Sequence, residues 1–179
     1  LDIEGVIASP PQAGRAKHIL EVIDAYEKDY PNLKRHADGF PKRQSLRDVT
    51  KQGAVNPAPA KGWSESTEGA QWIITRAKIR DERPLWLLVW GCITDVAQAV
   101  HDDPSTKSKL RIYSIGSCNT RQDAAVRDYL YNNHKDLWWI ESDTTFRGMY
   151  VGGLQDGEWS NRAFVDRHVE GHGALGDLF

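Results

Sequence analysis

Pro84-Leu85-Trp86-Leu87-Leu88-Val89-Trp90-Gly91-Cys92-Ile93-Thr94-Asp95 is the stretch on which the fold turns. The unbroken apolar run from Leu85 to Trp90 predicts a strand covered on both faces, as in the middle of a parallel sheet, because a half-exposed strand alternates apolar with polar residues. Gly91 ends the strand. Thr94 or Asp95 then stands where an N-cap belongs, and Val96, Ala97, Ala99 and Val100 predict a helix from Asp95 to His101.

The alternation recurs on either side of this unit. Leu110-Arg111-Ile112-Tyr113-Ser114-Ile115 predicts the next strand, closed by Gly116-Ser117, and Ala124, Ala125, Tyr129 and Leu130 mark a helix from Arg121 to Asn132. Leu137-Trp138-Trp139-Ile140 predicts a further strand, stopping at Glu141-Ser142-Asp143, and Asn161 to Val169 the last helix. Upstream, Thr67 to Arg80 has helical spacing under a Ser66 or Thr67 cap, with Glu68 near the positive end of the helix dipole. Residues 32–65 read as a long loop with one short helix near the Leu46 to Val49 patch. Arg15 to Lys28 predicts a helix broken at Pro31, and Leu1 to Ala8 a strand stopped by Ser9-Pro10-Pro11-Gln12-Ala13-Gly14. Strands alternating with helices predict an α/β fold with a mainly parallel sheet and flanking helices.

Composition narrows the function. The 23 basic and 25 acidic side chains leave a formal charge of −2, so no basic field draws the chain towards nucleic acid. A hydrophobic fraction of 40% with 27% charged residues fits a globular domain and argues against disorder. No apolar run reaches the length of a membrane span and no leader of the secretory type opens the chain, so no membrane partner is expected. Cys92 and Cys118 are too few for a disulfide scaffold or a zinc site, although both follow strand ends and a bond between them stays open. Met149 is the only methionine and residue 1 is Leu1, which places the translation start upstream.

In an open α/β sheet, ligands gather beyond the carboxyl ends of the strands. Those ends present Ser9 and Gln12, Gly91 to Asp95, Gly116 to Thr120 and Glu141 to Thr145, a rim of small and polar residues with carboxylates that suits a metal or sugar hydroxyls. Thr94, Asp95 and the Thr120/Asp123 pair also fit ordinary helix caps. Trp86, Trp90, Trp138 and Trp139 lie within strands and are expected in the core, whereas Trp159, among flexible polar residues, is open to stacking or packing. Gly171-His172-Gly173-Ala174-Leu175-Gly176 has dinucleotide-loop spacing but follows a helix, and His168 and His172 lack the glutamate placement of a zincin.

These elements, with Ile3-Glu4-Gly5-Val6-Ile7-Ala8, the Gly91 to Ala99 stretch and Ile112 to Thr120, resemble the nucleoside hydrolase superfamily. Val22-Ile23-Asp24-Ala25-Tyr26-Glu27, Arg83-Pro84-Leu85-Trp86 and Gly171 to Gly176 look most like its relatives often described as cellulose-binding and linked to polysaccharide use. The resemblance implies a Rossmann-like fold of nucleoside-hydrolase type over residues 1–179, as part of a single domain cut at both ends. That part lacks its first strand and its C-terminal section. The resemblance also implies calcium-assisted attack of water on a sugar anomeric carbon, with catalytic aspartates upstream of Leu1 and a further metal aspartate beyond Phe179. Thr120 takes the position of a carbonyl ligand to calcium. Asn119, Glu141 and Asn161 become sugar contacts, with Trp159 and His172 as further substrate-binding candidates. The partners implied are a small nucleoside or sugar and the remaining segments of the same chain, and the full-length protein is expected to be secreted or periplasmic. A non-catalytic carbohydrate-binding domain on the same fold is the alternative.

Overall fold

The computed structural model describes residues 2–10, 14–143 and 156–178. They fall into two compact units, one within Leu1–Ala16 and Lys51–Asp143, the other within Lys17–Thr50 and Thr144–Phe179. Among the described residues, no helix is long and apolar enough to cross a membrane.

The first unit opens with β1 (Val6–Ala8), which pairs with β2 (Thr50–Gln52). It continues with α3 (Glu68–Ala77), β3 (Leu85–Val89), α4 (Thr94–Asp102), β4 (Leu110–Ile115), α5 (Cys118–Gln122), α6 (Ala124–Asn133) and β5 (Trp139–Ser142). β3, β4 and β5 form a three-stranded sheet, parallel throughout, with Leu85 opposite Leu110 and Ile112 opposite Trp139. The parallel α/β prediction therefore holds. Leu110 and Ile112 on β4 are fully buried against Ile73 and Ile74 of α3, Val96 and Val100 of α4, and Val126 and Leu130 of α6. One face of the sheet thus carries the core.

The opposite face departs from the sequence reading. Trp86, Leu88 and Trp90 are 52%, 60% and 74% exposed, and Trp138 and Ile140 are exposed beside them. Of the tryptophans expected in the core, only Trp139 is half-buried, its indole N–H donating to Ser114 Oγ at 2.9 Å. The reason is positional: among the described residues β3 is an edge strand of this sheet rather than its middle, and the core helices α3, α4 and α6 pack on the face opposite these side chains.

Other boundaries shift for local reasons. The helix expected from Arg121 is two helices broken at Asp123, and β5 starts two residues later than the apolar run. β2 gives no signal in the sequence because Thr50-Lys51-Gln52 has no apolar pattern. In the second unit, α1 (Arg15–His36) runs through Pro31, and α2 (Arg43–Asp48) follows. Interior proline costs one backbone bond and crowds the carbonyl four residues earlier. Side chains near Pro31 hold the helix: Tyr26 and Tyr30 donate to the Pro41 and Phe40 carbonyls, and Asp24 receives Arg43 and Arg47. The last α-helix among the described residues is α7 (Asn161–His168), capped by Ser160, whose hydroxyl oxygen accepts from the Ala163 amide.

The first unit is tied together by a buried carboxylate. Asp95 accepts the Ala54 amide at 2.9 and 3.1 Å and the Thr67 hydroxyl at 2.5 Å, while Thr67 accepts the Ala70 amide as the cap of α3. Burial raises the Asp95 pKa, and the bonds from Thr67 and Ala54 oppose it. A carboxyl whose folded pKa lies above its unfolded value adds stability below the unfolded pKa, and that contribution is lost as pH rises through the folded pKa. Relative to Asp95→Asn, the wild type is therefore expected to lose stability as pH rises from about 4 towards neutrality, measured as the difference between the two proteins' urea midpoints against pH.

Candidate functional site

The site lies beyond the carboxyl ends of β3, β4 and β5. After β4, Gly116 and Ser117 turn the chain directly into α5, and Ser117 takes φ 61° and ψ −110°, a positive φ that a side chain rarely adopts. Such backbone strain costs of order 1–3 kcal/mol and persists only where surrounding bonds hold it. Here the bonds come from the next residues. Asn119 Nδ2 donates to the Trp90 carbonyl at 3.1 Å and towards that of Ile115 at 3.4 Å, so it ties the ends of two strands.

The structure brings Thr120 and Glu141 together: the Thr120 hydroxyl donates to Glu141 Oε1. Arg127 on α6 donates to Glu141 Oε2 through Nε at 3.2 Å and Nη2 at 3.1 Å. Sequence reasoning missed Arg127, since a basic residue on a helix face carries no signal until the strand opposite is known. Gly91, Asn119, Thr120, Arg127 and Glu141 surround a space of only about 10 Å³. That is near the minimum for one water and far below a sugar. Any ligand of this rim must lie on its surface.

The capping readings are corrected. Thr120 lies inside α5 and bonds Glu141 instead of capping a helix, and Asp123 sits at the break between α5 and α6. Ile93 occupies the cap of α4 without a side-chain bond; Thr94 donates to Asp123 Oδ2 at 2.8 Å, and Asp95 serves the Thr67 and Ala54 bonds. Burial, with hydrogen bonds opposing, raises the Asp123 pKa as well.

Calcium takes six to eight oxygen ligands. Among the described residues no group of three or more His, Cys, Asp or Glu side chains gathers to hold a metal, and the Thr120 carbonyl accepts the Asp123 amide at 3.2 Å. The described residues do not by themselves fit calcium.

Cys92 is a buried free thiol and Cys118 an exposed one. Burial, helped by Asp123 and Cys118, pushes the Cys92 thiol up to about 11. Gln122 lies between them, its Nε2 3.7 Å from Cys118 Sγ and its Oε1 4.0 Å from Cys92 Sγ.

Trp159, Asn161 and His172 belong to the second unit. Trp159 is 76% exposed, so it does not pack into a core. Asn161 opens α7 and is exposed, and His172 Nε2 lies 2.8 Å from the Arg167 carbonyl. The Gly171 to Gly176 loop uses its amides internally: Ala174 and Leu175 donate to the Asp29 carboxylate at 3.0 and 2.8 Å. Amides committed in this way do not cradle a dinucleotide phosphate.

A family described as cellulose-binding Sde182, nucleoside hydrolase-like domain, matches residues 1–179. The chain belongs to this family. The fold agrees: a solved nucleoside hydrolase-related hypothetical protein from Saccharophagus degradans, associated with carbohydrate metabolism, superposes with a TM-score of 0.76 at 27% identity. The match covers 98% of this nucleoside hydrolase-like chain and 42% of that protein. Among curated proteins, none matches.

Two outcomes test the geometry of this nucleoside hydrolase-like rim. Ser117→Gly releases the positive φ and is expected to raise unfolding free energy by about 1 kcal/mol, read by urea denaturation. A colourimetric thiol reagent at neutral pH is expected to modify Cys118 in the native protein and to reach Cys92 only after denaturant is added.

Proposed function

We propose that this chain contributes a carbohydrate-binding surface, with the rim of β3 to β5 as the place where sugar is held. The observation that carries the reading is the Trp90 ring, 74% exposed just past the end of β3, on a residue whose backbone carbonyl accepts the Asn119 amide, which also points towards the Ile115 carbonyl. A sugar ring has an apolar C–H face and hydroxyls on its edge. A flat indole covers the first, and a fixed amide oxygen accepts from the second. Glu141, held by Arg127 and Thr120, adds carboxylate acceptors that cannot swing away. The exposed Trp159 is a second stacking surface in the other unit.

Support comes from the cellulose-binding description of the family and from the carbohydrate association of the Saccharophagus protein. A polymeric ligand accords with a secreted or periplasmic location for the full-length protein. A surface site also accords with the closed space beneath Thr120 and Glu141, which leaves no room for a buried ring.

Calorimetry with cellohexaose is expected to show binding by the full-length protein, and Trp90→Ala to weaken it tenfold or more, about 1.4 kcal/mol, with an unchanged far-ultraviolet dichroism spectrum. Unaltered affinity in that variant sinks the rim as the site. Calcium-dependent cleavage of the oligosaccharide or of inosine points to hydrolysis instead of binding alone.

A further inference from the structure

Cys92 and Cys118 take no part in sugar binding, yet both thiols are free and both follow neighbouring strand ends. Val89 closes β3 opposite Ser114 of β4; Cys92 lies three residues beyond the first and Cys118 four beyond the second. Adjacent strands stand about 4.8 Å apart, and a disulfide spans Cα atoms about 4.4–6.8 Å apart. The chain does not leave β3 after its turn at Ser117, because Asn119, next to Cys118, donates to the Trp90 carbonyl at 3.1 Å. One side chain touches both sulfurs: Gln122 Nε2 is 3.7 Å from Cys118 Sγ and its Oε1 4.0 Å from Cys92 Sγ. These are weak contacts and Gln122 is exposed, so it can swing into solvent and open the space between the sulfurs.

The two thiols are unequal in a way that orders their chemistry. Cys118 is exposed in the first turn of α5 and meets solutes directly. Cys92 is 3% exposed, and burial first, then Asp123 and Cys118, hold its thiol up at about 11. Cys118 therefore attacks first and Cys92 second.

We propose that Cys92 and Cys118 form a reversible redox couple, closed by a low-molecular-weight disulfide such as oxidised glutathione, whose bond locks the turn after β3 to the start of α5. The Cys118 thiolate attacks one sulfur of the small disulfide, whose S–S bond breaks and releases one thiol, leaving Cys118 in a mixed disulfide. The Cys92 thiolate then attacks the Cys118 sulfur and displaces the second small thiol. Two protein thiols are oxidised by two electrons, the small disulfide is reduced to two thiols, and both protons pass through solvent to those thiols. Cys118 stays within reach of solutes, so an external thiol can attack it and reverse the sequence, which marks a regulatory bond rather than a structural one. The lock holds Asn119 against the Trp90 carbonyl, and it stands whether or not sugar binds there.

The test uses the full-length protein, reduced, exposed to oxidised glutathione, quenched by alkylation and mapped as peptides. Glutathione is expected first on Cys118, followed by a peptide pair linked through Cys92 and Cys118. Closure is expected to quicken about tenfold per pH unit between about 7 and 9, because only ionised Cys92 attacks. At neutral pH about one Cys92 in ten thousand is ionised, so closure lags well behind the attack at Cys118. Cys92→Ser is expected to stop at the mixed disulfide, and Cys118→Ser to leave Cys92 unmodified while folded. The closed form is expected to melt about 5 °C above the reduced form and to return to it with dithiothreitol. Glutathione that stays on Cys118 at about pH 9 with no linked pair overturns the proposal, as does a pair that forms only in denaturant. A closed form that melts no higher than the reduced one overturns the lock.

Discussion

One buried carboxylate organises the first unit. Asp95 sits in the first turn of α4, yet its oxygens reach back to the Ala54 amide and to Thr67, so it fixes the segment after β2 and the start of α3 together. The hydrogen bonds from Thr67 and Ala54 oppose, without outweighing, the desolvation that raises its pKa. The space around it is equally exacting. A Cβ on Gly53 would lie 2.2 Å from Asp95 Oδ2 and 2.4 Å from the Ala8 carbonyl, so glycine is required there for the backbone to approach. Where α3 and α4 lie against the sheet follows from this knot and from Leu110 and Ile112 beneath them.

The rim depends on that placement at one remove. β4 must be held for Ser117 to sustain its positive φ, and α5 must start at once for Asn119 to reach the Trp90 carbonyl. Arg127 and Thr120 then clamp Glu141 from two helices. The polar groups are thus fixed before any ligand arrives, which lowers the entropy lost on binding.

Much of this is legible in the sequence. Leu110 to Ile115 forms a strand with the expected bounds, because buried and half-exposed residues alternate along it. Thr67 caps α3 as its position before Glu68 implies. The apolar run of β3 carries its direction and its end but not its exposure, because a residue pattern records the environment a strand is suited to, not which neighbours are present. The exposure of Trp90 escapes the sequence for the same reason. Thr94 and Thr120 look like caps because local spacing cannot reveal Asp123 or Glu141, which come from elsewhere in the chain. Pro31 looks like a break because the anchors of α1 at Phe40, Pro41 and Arg43 also lie outside any local window.

The uncovered face of the β3–β4–β5 sheet bears on colloidal behaviour. Trp86, Leu88, Trp90, Trp138 and Ile140 present adjacent large apolar side chains to solvent, with Trp86 and Trp138 already in edge-to-face contact at 5.2 Å. Contiguous apolar surface promotes association, and a formal charge of only −2 supplies little repulsion between molecules to resist it. Concentration and salt thus become structural variables for this chain, and whatever shields these five side chains governs how long it stays in solution.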